Sequence, residues 1–303
     1  MIRPTWLLLG SPWRLPSAMA LALGSAMPLS PTKALLWSEA KEPTSTHPSM
    51  VVTAARQLVY PRAAALVLPG TVAADTVEKT WGFSPKRVIR LPHLVDENVY
   101  RDKVADARSN REAVRAAFGA RPSDVVIIVP TRLSDTDKGI LNFLKAIAPL
   151  RCDDVKIVIT GEGPDRGLIE AWIAAHEPDR VALLGHRHQD NMVNLLAAGD
   201  ALALPSLWDP NPPAIIEGLW AGLPVIVSTA CGTWPETVRD GTNGWLIDPH
   251  DPASIQKAIA AMVDASPAQR ETMGQASRRL AEASFCTDHE VRRFIDELLD
   301  LSA

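Results

Sequence analysis

Paired cysteines, a membrane-length apolar run, an excess of positive charge and grouped metal ligands are all missing from this 303-residue chain. The three cysteines, Cys152, Cys231 and Cys286, are scattered and form no CxxC pair, which argues against a disulfide scaffold and for reduced thiols in a cytoplasmic protein. The most membrane-like run, Ala18 to Leu29, is shorter than the roughly 20 residues a span needs. An early Arg3 followed by apolar and small residues mimics a signal peptide. Pro12 and Arg14 interrupt its would-be apolar core, so the preferred reading is a strand at Trp6–Leu9, a turn at Gly10–Pro12 and a helix from about Pro16. Lys and Arg number 31 against 35 Asp and Glu, and a net charge of −4 argues against non-specific nucleic-acid binding. The balance is uneven: residues 1–120 carry a net +6 and residues 121–303 a net −10, which hints at an anionic partner or membrane surface for the first part. His186 and His188 have no third ligand at metal-binding spacing and read as loop histidines.

What is present is an alternation of apolar runs and helical stretches. After Trp6–Leu9 come strands at 35–39 (LLWSE), 65–70 (ALVLPG) and 87–92 (RVIRLP), with helical residues 49–60 and 71–80 between them. Such alternation predicts a parallel sheet of βαβ units. It lacks the Gly-rich turn that opens a nucleotide-binding domain, so residues 1–120 are expected to be part of a domain without its front. The polar segment 101–124 ends in turn signals, which places a domain boundary near residue 120. A second alternation follows, with strands at 125–130, 155–160, 181–185, 201–205, 225–228 and 244–247 and terminal helices near 252–264, 267–282 and 288–300. It predicts a six-stranded doubly wound sheet over residues 121–303, with ligands at the carboxyl ends of its strands.

Three segments at those ends carry chemistry. In TRLSDTDKGI (131–140), Arg132 and Lys138 bracket a helix start and suit a diphosphate clamp, a fork and a point charge. GEGPDRG (161–167) offers Gly161 and Gly163 for close backbone approach. Its third glycine comes one residue late for a dinucleotide fingerprint, and Gly185-His186-Arg187 stands where the ribose-binding acid belongs, which counts against an NAD-dependent enzyme. His186, ending a strand on the binding side, is a candidate neighbour of a nucleobase. The third segment is LPSLWDPNPPAIIEGLWAG (204–222), read as strand, Pro-rich turn and helix. Asn211 is the expected N-cap, Pro212 and Pro213 suit the first turn, and the N–H groups of Ala214 and Ile215 open a phosphate site. Asp209 and Glu217 flank that site, one placed for sugar hydroxyls and the other for ribose. Glu236 is expected in the first turn of a further short helix, as a partner of its dipole.

These motifs together resemble the C-terminal half of a retaining glycosyltransferase of family 4, the group-1 type with GT-B architecture. The resemblance rests on Arg132 and Lys138–Gly139, the GEGP turn (161–164), PSLWDPNPPAIIEG (205–218), AGLPVI (221–226) and NGWLIDP (243–249). RLPHLVDENVY (90–100) is similar to the family's inter-domain approach, with His93 where an asparagine usually stands. The resemblance implies an α/β fold of two Rossmann-like doubly wound domains, 1–120 on the acceptor side and 121–303 holding the nucleotide sugar, the last helix returning to the first domain. It implies a hexosyltransferase moving a sugar from a UDP- or GDP-linked donor to a glycan or lipid-linked acceptor with retention, at the inner face of the membrane or in the cytoplasm. Asp209 would contact the transferred sugar, Glu217 the ribose, and Arg132 and Lys138 the diphosphate; no cofactor or bound metal is implied. The chain departs from the family pattern in three ways. Asp209 replaces the usual Glu, with Pro210 and Pro212 beside it unable to donate N–H groups. No His stands at the Gly10–Ser11–Pro12 turn. The family's opening strands have no counterpart. The second reading is accordingly a non-catalytic nucleotide-sugar-binding remnant.

Overall fold

The computed structural model describes residues 5–10, 16–25, 32–41, 50–83, 87–150 and 154–301. Pro12 and Cys152 lie outside them. The chain forms two compact units, residues 1–93 with 288–303, and residues 94–287.

In the first unit, β1 (Trp6–Gly10), β2 (Lys33–Trp37), β3 (Ala65–Leu68) and β4 (Val88–Arg90) form a parallel sheet in the order β1-β2-β3-β4. Parallel neighbours need a crossover, and α1 (Pro16–Ser25), α2 (Met50–Val59) and α3 (Thr71–Asp75), extended by a π-turn at Thr76–Thr80, supply them. Alternate strand residues face opposite ways. Leu36, Leu66 and Leu68 meet Val59, Tyr60 and Val77, while Leu35, Val67 and Ile89 face Phe294 and Leu298.

The second unit begins with a π-turn at Val99–Lys103, α4 (Val104–Ala107) and α5 (Arg111–Ala117). The sheet follows as β5 (Val125–Pro130), α6 (Asp135–Lys138), α7 (Ile140–Ile147), β6 (Val155–Thr160), α8 (Arg166–His176), β7 (Val181–Leu183), α9 (Gln189–Ala198), β8 (Ala201–Leu204), α10 (Pro213–Trp220), β9 (Val225–Ser228), α11 (Trp234–Thr237) and β10 (Gly244–Ile247). Two helices, α12 (Pro252–Asp264) and α13 (Pro267–Ser284), complete it; α14 (Thr287–Asp300) belongs, apart from its first residue, to the first unit. All six strands are parallel, in the order β10-β9-β8-β5-β6-β7. Helices on both faces bury the central strands, while the edge strands β7 and β10 each keep two half-buried residues.

The compact units part at residues 93 and 94, whereas the sequence suggested a boundary near 120. The charges of segment 101–124 are not a linker's. Arg111 and Arg115 both grip Asp200, which also accepts the Val126 N–H at 2.8 Å, and Arg115 Nε donates to the Ala198 carbonyl at 2.9 Å. A buried ion pair so fully hydrogen-bonded fastens α5 to the sheet. Among the described residues, no helix is long and apolar enough to cross a membrane.

Candidate nucleotide-sugar site

Strands β5 and β8 are neighbours from which the chain leaves in opposite directions, β5 toward β6 and β8 toward β9. A sheet of this kind opens a crevice at the carboxyl ends of the two strands where its order reverses. Two loops meet there. Gly139 takes a left-handed φ of 60°, and a Cβ on it would lie 2.8 Å from Leu207 Cγ and 3.2 Å from the Pro205 carbonyl oxygen. The bare glycine therefore lets the loop after β5 lie against the loop after β8, and the Trp208 N–H donates to the Asp137 carbonyl at 2.8 Å. The contact brings Lys138 Nζ within 2.5 Å of Asp209 Oδ2, with the side chains only 18% and 13% exposed. Two residues assigned to different parts of a donor form one ion pair.

Asp209 is braced on its other side. Its N–H donates to the Ala230 carbonyl at 3.2 Å, and its carbonyl accepts the Gly232 N–H at 2.8 Å. A Cβ on Gly232 would sit 1.9 Å from the Pro210 carbonyl oxygen, so this approach requires glycine. The turn differs from expectation at Asn211. The N-cap position of α10 is Pro212, with no side-chain cap, while Asn211 is 4% exposed and its N–H donates to Asp209 Oδ1 at 3.3 Å. Both Asn211 amide atoms, Ser206 Oγ and Thr233 Oγ1 are buried without hydrogen-bond partners among the described residues. Buried polar groups are ordinarily satisfied, and these four atoms, all in the loops after β8 and β9, are left without that satisfaction. The Ile215 N–H is not open as expected, since it turns back on the Pro212 carbonyl at 3.4 Å, and its side chain is fully buried; Ala214 is half-buried in the first turn.

Glu217 is the fifth residue of α10, one turn from its start. The Tyr100 hydroxyl donates to its carboxylate and accepts from Gln189. Burial pushes the Glu217 carboxyl above the usual range, only partly offset by the Tyr100 hydrogen bond. Burial, reinforced by the Glu217 charge, pushes the Tyr100 hydroxyl far up as well. No spacing in the sequence joins residues 100 and 217; the one signal was that Tyr100 closes the RLPHLVDENVY segment.

The remaining candidates gather beside β6. A Cβ on Gly161 (φ 145°) would lie 1.8 Å from the Thr131 carbonyl oxygen, and one on Gly163 would lie 2.2 Å from that of Leu133. The Gly161 N–H and Thr160 Oγ1 both donate to the Gly185 carbonyl, at 2.9 and 2.7 Å. Three loops are thereby tied together, and Arg132, Gly161 and His186 line one cleft of about 340 Å³. Gly163 is not in its lining and packs against the Leu133 backbone. Lys138, Asp209 and Glu217 are not part of that cleft's lining. Glu236 stands in the first turn of α11, as the sequence suggested. No group of three or more His, Cys, Asp or Glu side chains converges as metal ligands among the described residues.

The chain is 27% identical over 227 residues to an alpha-D-kanosaminyltransferase of Streptomyces kanamyceticus, covering 74% of this chain and 57% of that protein. It is 31% identical over 197 residues to a D-inositol 3-phosphate glycosyltransferase of Mycolicibacterium vanbaalenii, covering 60% of this chain and 42% of the relative. The chain thus spans about half the length of these curated relatives. Among solved structures, sucrose-phosphate synthase of Thermosynechococcus elongatus superposes with a TM-score of 0.79 at 18% identity, over 98% of this chain and 73% of the other. Anabaena HepE, solved with UDP and glucose, superposes with a TM-score of 0.77 at 20% identity, over 94% and 76%. These likenesses establish the fold, two parallel α/β sheets of the GT-B type. The model of the family described as Glycosyl transferases group 1 matches residues 110–280, a span running from α5 into α13 that includes the Lys138–Asp209 pair, and the chain is therefore a member of that family.

Proposed function

We propose that this chain binds a nucleoside-diphosphate sugar at the β5/β8 crevice and transfers the sugar to a glycan or lipid-linked acceptor with retention of configuration, as a hexosyltransferase of the family 4 type. The observation that carries this reading is the Lys138–Asp209 pair, held at the switch point beside the unpartnered amide of Asn211. UDP and UDP-glucose are bound by HepE, whose fold this chain shares.

In the reaction an acceptor hydroxyl attacks the anomeric carbon on the face the diphosphate is leaving, through an oxocarbenium-like state. The bond from the anomeric carbon to the phosphate oxygen breaks, and the acceptor proton passes to the departing phosphate. Lys138 and Arg132 stabilise the charge that develops on the diphosphate, the kind of preorganised interaction that contributes most to such catalysis. Asp209 accepts hydrogen bonds from the sugar hydroxyls while its pairing with Lys138 keeps donor sugar and diphosphate in register. Glu217 accepts from the ribose, oriented by Tyr100. Arg132, Gly161 and His186 border the base and the adjoining phosphate.

The test is release of UDP or GDP from a panel of nucleotide hexoses in the presence of lipid-linked and oligosaccharide acceptors, with the product anomer read by NMR. The reading expects release from donors of one base, retention at the anomeric carbon, and a loss of about a hundredfold or more in Asp209→Asn, the scale of losing one preorganised electrostatic contact. Binding without release across the panel favours the non-catalytic reading, and turnover unchanged in Asp209→Asn contradicts the site.

A further inference from the structure

The opposite end of the same sheet carries a second concave site that the proposed reaction does not use. A cleft of about 470 Å³ opens in the second unit where the chain enters β8 and β9, at their amino ends. Arg108, Arg111, Arg270 and Arg278 line it, with Asp200 and Glu271 the carboxylates of its wall. Asp200 is spent on Arg111 and Arg115, which leaves three guanidinium groups facing one lining carboxylate.

Two of those groups converge on one point. Gly222, in a left-handed turn with φ 69°, forms part of the floor, and its missing side chain keeps the floor open. A Cβ built there would lie 3.7 Å from Arg278 Nη2, 3.8 Å from Arg108 Nη2 and 3.7 Å from the Gly274 carbonyl oxygen. The same Arg108 Nη2 donates to the Ala221 carbonyl at 3.2 Å, which holds the guanidinium in place and leaves its second N–H for a ligand. Arg278 Nε and Arg270 Nε are both buried without a hydrogen-bond partner among the described residues. Glu282 and Asp102 lie near Arg278 and offset part of its charge, but Asp102 is already held by Arg101 at 2.7 and 3.0 Å. Burial, with Arg101 and Arg108 nearby, lowers the hold of Arg278 on its proton despite Glu282. Two guanidinium groups of like charge beside one spot suit a tetrahedral oxyanion that bonds to both.

We propose that Arg108 and Arg278, with Arg270 at the rim, form a second anion site that binds a phosphoryl group over Gly222, separate from the β5/β8 crevice. The ligand is either a soluble phosphate ester or the phosphate of a lipid headgroup. Its place at the far end of the sheet lets it be filled while a donor occupies the crevice.

The experiment measures the thermal midpoint of the intact chain in increasing inorganic phosphate, with sodium chloride holding ionic strength constant, for the wild type, Arg278→Gln, Arg278→Lys and Arg132→Gln. Because a ligand of the folded state stabilises it by mass action, the wild-type midpoint rises with phosphate. Arg278→Gln weakens the apparent phosphate affinity about tenfold or more, and Arg278→Lys, which keeps the charge without the fork, falls between. Arg132→Gln, altered at the crevice, keeps the response. The two sources are separated by sedimentation with phosphatidylglycerol-containing or purely phosphatidylcholine vesicles. Binding to the anionic vesicles that Arg278→Gln abolishes and free phosphate displaces identifies a lipid headgroup, whereas a phosphate response without vesicle binding identifies a soluble ester; either supports the site. A wild-type midpoint indifferent to phosphate, or a response that survives in Arg278→Gln and is lost in Arg132→Gln, overturns it.

Discussion

Replacing Lys138 by Met strikes the ion pair on which the proposed site depends, and its cost follows from the geometry. Exposed pairs contribute about 0–1 kcal/mol, and removing one partner of a fully buried pair costs about 3–5 kcal/mol. The Lys138–Asp209 contact is 2.5 Å long with less than a fifth of either side chain exposed. Without the lysine, Asp209 keeps the Asn211 N–H at 3.3 Å. A loss of about 2–3 kcal/mol is therefore expected, nearer the buried limit. At about 2–4 °C per kcal/mol for a unit of this size, the thermal midpoint falls by roughly 4–12 °C. The discriminating variant is the double substitution Lys138→Met with Asp209→Asn, which no longer leaves an uncompensated carboxylate. Urea unfolding of the four proteins in the cycle should give a coupling of about 1–3 kcal/mol, so the double variant recovers much of the lost stability. It should not recover nucleoside-diphosphate affinity. A hydrogen bond to a charged group contributes about 1.5–3 kcal/mol, and losing one weakens binding roughly ten- to a hundredfold. A coupling indistinguishable from zero would refute the energetic role of the pair. Affinity restored together with stability would show Lys138 to be structural only.

Three further outcomes follow from the same site. The buried Glu217 carboxyl, held above its ordinary value of 4.5, keeps its proton in the folded state at pH values where the unfolded chain has released it, so its contribution to stability falls as pH rises through that window; urea unfolding of Glu217→Gln should show a stability gain over wild type that grows as pH rises above 4.5, and parallel profiles would contradict the burial argument. Tyr100→Phe removes the hydroxyl that favours ionised Glu217, so the inflection of nucleotide affinity against pH should move upward and affinity at neutral pH should fall roughly tenfold for one lost charged hydrogen bond; a lower melting temperature with an unmoved inflection would make Tyr100 a packing residue. Gly163→Ala places a Cβ 2.2 Å from the Leu133 carbonyl oxygen, which forces the loop after β5 away at a cost of about 1–3 kcal/mol; a thermal midpoint equal to wild type would show that the loop yields freely.

The strands of the second unit were legible because each is a short Val- and Ile-rich run bounded by turn residues, and residues 125–130, 155–160, 225–228 and 244–247 begin and end where that pattern does. The doubly wound order followed from the alternation, and with it the end of the sheet at which a ligand is expected. What depends on contact across distance was not legible. Lys138 and Asp209 are 71 positions apart and each had a reading of its own; the close approach at the bare Gly139 and the Trp208–Asp137 bond bring their loops together. Asn211 has the residue type of an N-cap, yet burial of its side chain and the extended backbone of Pro212 moved the helix start one position on. The polar segment 101–124 suggested a domain boundary near 120 because nothing local showed that Arg111 and Arg115 turn inward to Asp200. Tyr100 escaped for the same reason, since its polar end matters only opposite Glu217.

The most direct test of the central claim is isothermal titration of the 303-residue chain with UDP and with GDP, alongside Glu217→Ala. A nucleotide-sugar site at the β5/β8 crevice predicts micromolar-range binding of one of the two diphosphates, lost in Glu217→Ala with the fold intact by circular dichroism. Heats of dilution alone with both diphosphates, or binding that Glu217→Ala leaves unchanged, would contradict it.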